Sequence, residues 1–344
     1  MNVYSVDPGN HAIKFAGTGD TAKLIDSVSA QLPPAQQINL NPSSVLIEVL
    51  NGHPSLVDRR WVIGSSAYDL ISSSATFTKE KSLLVPQLTL AGIEPPTTTR
   101  PEIDLELSRL YISHPQPDLV TEHITSVFQE DHRFYRTQGK TRTLINLSVE
   151  EVCVVPEGLG SLRYALAHQT VQWGSGLLAV IDLGGGTAIG SLWREGEQEV
   201  IHARAVLEKG GIVGLVTMIA ADSRMRSRNR GSYPKPHLLM AGIRNETYEY
   251  GSTGANYRDL FEEYRPGWWN SLLERFQLAW GHWLEEIDHI IVTGGGAMLV
   301  TDAIERSDGW MRLCPNGQFA NVLGLLSPGA STTTNKKVKS MRVA

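Results

Sequence analysis

Short apolar runs that read as buried strands recur along the chain, and three of them end in glycine. Val3-Tyr4-Ser5-Val6 leads into Asp7-Pro8-Gly9-Asn10, and Leu178-Ala179-Val180-Ile181 leads into Asp182-Leu183-Gly184-Gly185-Gly186-Thr187. His289-Ile290-Ile291-Val292 leads into Gly294-Gly295-Gly296. Around the first run the pattern predicts a strand meander over 2–6, 11–16 and 22–28, then a loop at Pro33-Pro34. A strand pair over 44–50 and 60–63, joined by Asn51-Gly52-His53-Pro54, follows. Helices are predicted over 83–90, 119–128 and 159–167, and strands over 103–112, 144–147 and 152–155. Trp173-Gly174-Ser175-Gly176 is a hinge candidate. Beyond it come a strand, turn and strand over 177–193, a strand over 200–206, and a helix opened by Gly210-Gly211 and running through Ala221. Apolar and aromatic positions at helical spacing over 255–286 predict two helices split at Pro266-Gly267. A strand at 289–293 and a helix near 297–304 complete the pattern. The class is α/β, with strand–turn–strand units followed by helices in both halves: a duplication of architecture rather than of sequence.

The bulk numbers narrow the field without naming a chemistry. A chain of 344 residues predicts about two domains. With 41% hydrophobic and 19% charged residues, a sizeable core is expected and global disorder is not. A net charge of -5 argues against direct nucleic-acid binding by the body of the protein. Cys153 and Cys314 lie far apart and outside any CxxC pair, which argues against structural zinc and disulfides; Cys153, within Val152-Cys153-Val154-Val155, reads as a packed core thiol. No apolar run reaches the ~20 residues that cross a bilayer. The chain enters a strand directly, with no basic-then-apolar leader, so a cytoplasmic protein without a membrane contact is expected. The tail after Pro328 is Ser/Thr-rich and then basic, and reads as frayed.

The chemistry sits in the turns. Glycine lets backbone N–H groups approach phosphate oxygens, and an aspartate at the strand end faces a magnesium ion directly or through water. One such turn is a weak signal; three in this order are a strong one. On this reading Gly9, Asn10 and His11 line one side of a phosphate chain and Gly184, Gly185, Gly186 and Thr187 the other. Lys14 supplies a point charge, and Asp7 and Asp182 hold the hydration shell of Mg²⁺. Gly210-Gly211 either offers N–H groups to the ribose or phosphates or is a tight packing turn. Trp268-Trp269, Trp280 and Trp283 read as helix packing. The basic run Arg224-Met225-Arg226-Ser227-Arg228-Asn229-Arg230 and the basic tail at 336–342 read as solvated segments or as contacts with an acidic partner.

The order of turns resembles the actin, Hsp70 and sugar-kinase ATPase superfamily. Asp7-Pro8-Gly9-Asn10 with Lys14 looks like its first phosphate motif, Asp182 to Thr187 like its second, and Val292-Thr293-Gly294-Gly295-Gly296-Ala297 like its adenosine motif. Val154-Val155-Pro156-Glu157-Gly158 resembles the connecting segment of the bacterial plasmid-segregation actins, the ParM/StbA group. Trp61-Val62-Ile63-Gly64 with Ala67, and Pro315 with Phe319-Ala320-Asn321-Val322-Leu323-Gly324, resemble further stretches of that group. The stretches at 30–60 and 222–256 match nothing in it. The resemblance implies a two-domain actin/Hsp70-like fold, duplicated ribonuclease-H-like halves with a nucleotide cleft between them. Domain I would be 1–173 plus about 312–344, and domain II 174–311. It implies ATP, with GTP as an alternative, and Mg²⁺ as cofactors. Glu157 would orient the attacking water, alongside Asp7 and Asp182. It also implies filament formation with other copies of the chain and plasmid segregation through a DNA-bound adaptor. A non-polymerising ATP-binding scaffold and a small-molecule kinase of the same superfamily are the alternatives.

Overall fold

The computed structural model of the chain describes residues 2–70, 81–96 and 100–327. The basic tail and most of Pro95–Thr99 therefore lie outside the described residues. Two sheets carry the architecture, and they repeat each other. In the first half the strand order is Lys23–Asp26, Ala12–Gly17, Val3–Pro8, Arg109–His114, Val152–Pro156. The first three strands run antiparallel and the last two join parallel. In the second half, Ala205–Glu208, Thr187–Arg194, Leu177–Leu183, Ile287–Thr293 and Met311–Leu313 follow the same order with the same senses. The duplication expected from the pattern is thus a duplication of topology. Leu177–Leu183 is buried at every position, as a central strand covered on both faces must be.

A second six-stranded sheet is built onto the first half, in the order Ser29–Gln31, Arg60–Ile63, Val45–Asn51, His132–Gln138, Thr141–Val149, Glu102–Leu107. Two expectations change here. The single strand expected over 103–112 is two strands, Glu102–Leu107 and Arg109–His114, that belong to different sheets. At the break between them, the Ser108 N–H donates to the Asn2 carbonyl at 3.0 Å. His132–Gln138 was not foreseen, because two of its inward positions are His132 and Arg136 rather than apolar residues.

The second half is filled by helices Ile212–Ala221, Pro236–Arg244 and Arg258–Trp280. The last is one continuous helix, not two split at Pro266-Gly267. Proline within a helix removes a hydrogen bond and costs about 3 kcal/mol. Burial of Leu260 and Phe261 before it and Trp268, Trp269, Leu272, Phe276 and Trp280 after it on one core holds the helix together. The run at 224–230, expected as a solvated segment or a partner contact, is mostly helical. It forms helix Ser223–Arg228, capped by the Asp222 side chain, with Arg224 paired to Asp222 and Glu263 and Arg228 paired to Asp259. No helix among the described residues is long and apolar enough to cross a membrane.

The two halves meet over a shared core. Helices Leu159–Ala167 and Gly317–Leu325 cross between the two repeated sheets, and Leu162, Ala165, Val180, Trp193, Ile291, Ala320 and Leu325 form one buried cluster there. The crossing is tight enough to demand glycine on both helices. A Cβ at Gly160 would collide with the Asn321 carbonyl, and one at Gly324 with the Gly160 carbonyl. The Gly160 N–H also donates to Asn321 Oδ1 at 3.1 Å. Gly160→Ala should therefore lower the unfolding free energy by at least about 1–3 kcal/mol, the usual cost of overpacking. Urea unfolding checks this, and an unchanged midpoint would mean the helices are free to separate.

Candidate functional site

A cleft of about 450 Å³ lies between the halves and is lined by both first turns. Its floor follows from strand register. Asp7 pairs directly with Lys14 across the first hairpin; cross-strand partners project on one face, so both side chains reach the cleft together. The Lys14 ammonium donates to Asp7 Oδ2 at 3.0 Å. Asp182 holds the matching position in the second hairpin, opposite Ile189. Glu157 comes from the loop after strand Val152–Pro156, just before Gly158, whose φ of 98° opens helix Leu159–Ala167. Asp7, Asp182 and Glu157 are all buried.

The two glycine turns face each other at close range. A Cβ on Gly185 would collide with the His11 ring, and one on Gly186 would lie 3.1 Å from Asn10 Cβ. The Gly9 N–H donates to the Asp7 carbonyl at 2.8 Å and the Gly184 N–H to the Thr187 carbonyl at 2.9 Å. These two N–H groups shape their own turns, contrary to the expectation that they face a phosphate. The N–H groups of Asn10, Gly185 and Gly186 make no hydrogen bond to a carbonyl among the described residues. Ser27 Oγ donates to the Gly9 carbonyl and fixes the first turn from behind.

The other predicted glycines divide. Gly295 lines the cleft. Gly294, at φ 88°, packs its Cα against the Asp182 carboxylate and the Leu183 carbonyl, and the Gly296 N–H donates to the Leu183 carbonyl at 2.8 Å. Gly210 and Gly211 do not line the cleft. Of the two readings left open for them, the geometry matches the packing turn. The N–H groups of Ile212 and Val213 donate to the carbonyls of Gly184 and Gly185 at 3.1 and 2.8 Å, so the helix start buttresses the second turn. A Cβ on Gly211 would collide with the Gly184 carbonyl.

One wall of the cleft was not anticipated. Tyr248, Phe261, Glu262, Arg265, Met298 and Leu299 line it. Arg265 donates to the Leu299 carbonyl at 2.7 Å and to Asp302 at 2.8 Å. Glu246 and Tyr248 both adopt left-handed backbone, at φ 57° and 55°, a strain that clusters at functional surfaces. Phe261 was legible only as part of a helical stripe, and Arg265 gave no signal of its own. At the mouth, Arg244 lies 3.7 Å from Asp26, His237 stacks on Tyr68 at 5.7 Å, and His11 Nε2 meets Met240 Sδ at 2.9 Å.

The electrostatics favour a cation. Six acidic side chains against three basic ones line the cleft. Burial alone would lower the Lys14 ammonium, but Asp7, Asp182 and Glu157 outweigh it and hold it above the ordinary lysine range. Burial, countered in part by Lys14 and Arg204 and reinforced by Asp7, pushes the Asp182 carboxyl up to about 6. Asp7 Oδ1 is buried and has no hydrogen-bond partner among the described residues. An orphaned carboxylate oxygen beside a desolvated carboxyl is what a hydrated divalent cation would satisfy.

An archaeal actin homolog, Ta0583, superposes with a TM-score of 0.70 at 17% identity, covering 95% of this chain and 98% of that one. ParM from Bacillus thuringiensis, solved with ATP, gives a TM-score of 0.65 at 17% identity over 95% and 97% of the two chains. ParM from Clostridium botulinum, solved as a 15-stranded filament, gives 0.68 at 14% identity over 95% and 98%. The chain has the actin fold. No family model matches the sequence, and no curated protein matches it, so at these identities the likeness is one of architecture. In the actin fold the duplicated halves and the cleft between them are the defining geometry, and the turns at 9–11 and 184–187 sit at equivalent corners of the two halves.

The raised Asp182 carboxyl has a consequence for stability. An acid whose pKa is higher in the folded state than its unfolded value near 3.9 stabilises the fold as pH falls through about 6 and costs stability above it. Asp182→Asn should therefore raise the unfolding free energy of the ligand-free protein at pH 8 by about 2–3 kcal/mol. The gap should close towards pH 4. Denaturant titrations at several pH values test this; a variant no more stable than the wild type at pH 8 would contradict it.

Proposed function

We propose that this chain binds a magnesium-complexed adenine nucleotide in the cleft, hydrolyses it, and assembles with other copies into nucleotide-dependent filaments. The observation that carries this is the opposition of two glycine turns, each backed by a buried aspartate, with the Lys14 ammonium on Asp7. Support for the nucleotide class comes from Ta0583, solved in complex with ADP, and from the Bacillus ParM solved with ATP. Support for assembly comes from the Clostridium ParM filament. The finer reading is plasmid DNA segregation through a DNA-bound adaptor, which rests on the ParM likeness; the net charge of -5 favours an indirect route to DNA. ATP is preferred here to GTP because the nucleotide complexes among the similar structures hold ADP and ATP.

In this reading Asn10, Gly185 and Gly186 offer backbone N–H groups to the phosphates from opposite sides, and Lys14 adds a charge. Asp7 and Asp182 hold Mg²⁺ through its water shell. The ion, when bound, offsets phosphate charge that the acidic cleft would otherwise repel. The Glu157 carboxylate orients the attacking water and accepts its proton, a role that needs the carboxylate held where it can place that water in line with the breaking bond. Tyr248, Phe261 and Arg265 form the wall on the side of Gly295, which suits the adenosine moiety.

Sedimentation with Mg-ATP, Mg-ADP and a non-hydrolysable analogue should pellet the protein in the triphosphate states and not without nucleotide. A protein that stays monomeric in all of them would end the filament reading. Lys14→Ala should weaken Mg-ATP binding about 10–100-fold, the scale of a lost charge-assisted bond, as measured by calorimetry. Glu157→Gln should leave binding intact and slow phosphate release by ~10²–10⁴-fold. If this variant turned over normally, Glu157 would have no part in the chemistry.

A further inference from the structure

The loop that carries Glu157 is held from the opposite half of the molecule. Residues 194–204 of the second half form a strap beside it. From this strap Arg204 Nε donates to the Pro115 carbonyl at 3.0 Å and Arg204 Nη2 donates to the Glu157 carbonyl at 3.2 Å. Its remaining arm is paired with Glu199. Further along the same strap, Glu197 takes two hydrogen bonds from Arg163, at 3.0 and 2.7 Å, on the helix that follows Glu157. The Arg204 side chain is only 11% exposed, so these bonds form with little competition from water.

We propose that Arg204 is a positioning residue for hydrolysis, fixing the peptide plane on which the Glu157 carboxylate turns. The inference rests on the hydrolytic reading above and extends it. The Glu157 N–H donates to the His114 carbonyl at 3.1 Å, which pins one side of the residue. The other side is the peptide into Gly158, a left-handed glycine that opens its helix without any side-chain cap. Glycine there resists rotation least, and the guanidinium on the Glu157 carbonyl opposes that rotation. Arginine suits the task because its planar fork reaches two carbonyls from two loops at once while a third face is locked by Glu199; a lysine ammonium would hold one. Because Arg204 belongs to the second half and Glu157 to the first, the aim of the carboxylate depends on how the halves are seated. Arg204 need touch neither nucleotide nor water to do this.

The test compares wild type, Arg204→Ala, Arg204→Lys and Glu199→Gln as full chains. Single-turnover hydrolysis of Mg-ATP, nucleotide affinity by calorimetry and thermal midpoint are measured on each. Arg204→Ala should lose about 10–100-fold in rate, the scale of a displaced catalytic group, with affinity little changed; its midpoint should fall, because the Glu199 side chain, only 12% exposed, loses its partner. Arg204→Lys should recover part of the rate, and Glu199→Gln should fall between. If Arg204→Ala does not fold, the same split between rate and affinity is read from the other two variants. Wild-type rates in the variants overturn the inference while leaving the hydrolytic reading intact. Rate and affinity falling together overturn it in favour of a structural role. A wild type that binds Mg-ATP without ever releasing phosphate overturns the hydrolytic reading and takes this inference with it.

Discussion

Asp7, Lys14 and Asp182 place two carboxyls and one ammonium at the floor of a cleft where water is scarce. That imbalance is the constraint on which the rest depends. One pair is satisfied internally, Lys14 on Asp7; Asp182 is left desolvated, and its carboxyl is pushed up to about 6. Buried charge without a partner is expensive, and a fold keeps it only where something else will complete it. Lys14 and Arg204 offset that burial only in part, and the same lining also carries Glu157, Asp26, Glu246 and Glu262, of which Asp26 and Glu262 are paired with Arg244 and Arg265. A polyanionic ligand alone would be repelled from such a cleft; a polyanion carrying a divalent cation would not.

The duplication explains how this charge set came to span two halves. Each repeated sheet supplies one first strand with an aspartate near its end and one glycine turn after it. The copies are not equal. The partner of Asp7 across its hairpin is Lys14, and the partner of Asp182 is Ile189. The second half replaces the missing cation with packing. Gly294 lies against the Asp182 carboxylate, the strand end at Thr293 donates to Ser161 Oγ at 3.2 Å, and the N-terminus of Ile212–Ala221 hydrogen-bonds the carbonyls of the second turn. One turn is therefore organised by an ion pair and the other by backbone.

What was legible in the sequence follows the same division. Glycine turns after apolar strands announce themselves locally, so Asp7, Gly9 to His11, Asp182 and Gly184 to Thr187 were readable, and so was the repeat of architecture. Lys14 was singled out through the resemblance of its stretch to a first phosphate motif, and the structure places it directly across the hairpin from Asp7. Other features depend on partners far away in sequence and gave no local signal. Phe261 looks like any member of a helical stripe, and Arg265 gives no signal of its own, until Leu299 and Asp302 arrive beside them. Pro266 reads as a break, yet Leu260 and Phe261 before it and three tryptophans after it are buried on one core and override it. Gly210-Gly211 has the composition of a phosphate turn, but the position of the second hairpin makes it a brace. Arg204 lies in a strand-like stretch with no motif, and its importance appears only once Pro115 and Glu157 are seen on either side of its guanidinium.

The distribution of contacts between the halves determines how the molecule would respond to a ligand. At the base, the Gly160–Gly324 helix crossing is packed so closely that only glycine fits on either side. Interiors of that kind do not deform gradually. Away from the base, the halves are linked by an ion pair between Arg244 and Asp26 at 3.7 Å, of which Arg244 is 59% exposed, by the contact of His11 with Met240, and by a stacked Tyr68–His237 pair. Exposed contacts of this sort are worth about 1 kcal/mol or less. The base can thus serve as a pivot while the mouth opens at little cost. A ligand shifts such an equilibrium only by contacts that differ between the open and closed states. Under the proposed function the floor would supply them, because the N–H groups of Asn10 on one side and of Gly185 and Gly186 on the other would meet one phosphate chain from both halves. Removing one phosphate would delete contacts that belong to both turns at once, and the weak links at the mouth could not compensate. The seating of the strap at 194–204 on the Glu157 loop would change with the same motion, so the groups proposed to bind the triphosphate and the carboxylate proposed to orient the attacking water would be set by a single closure.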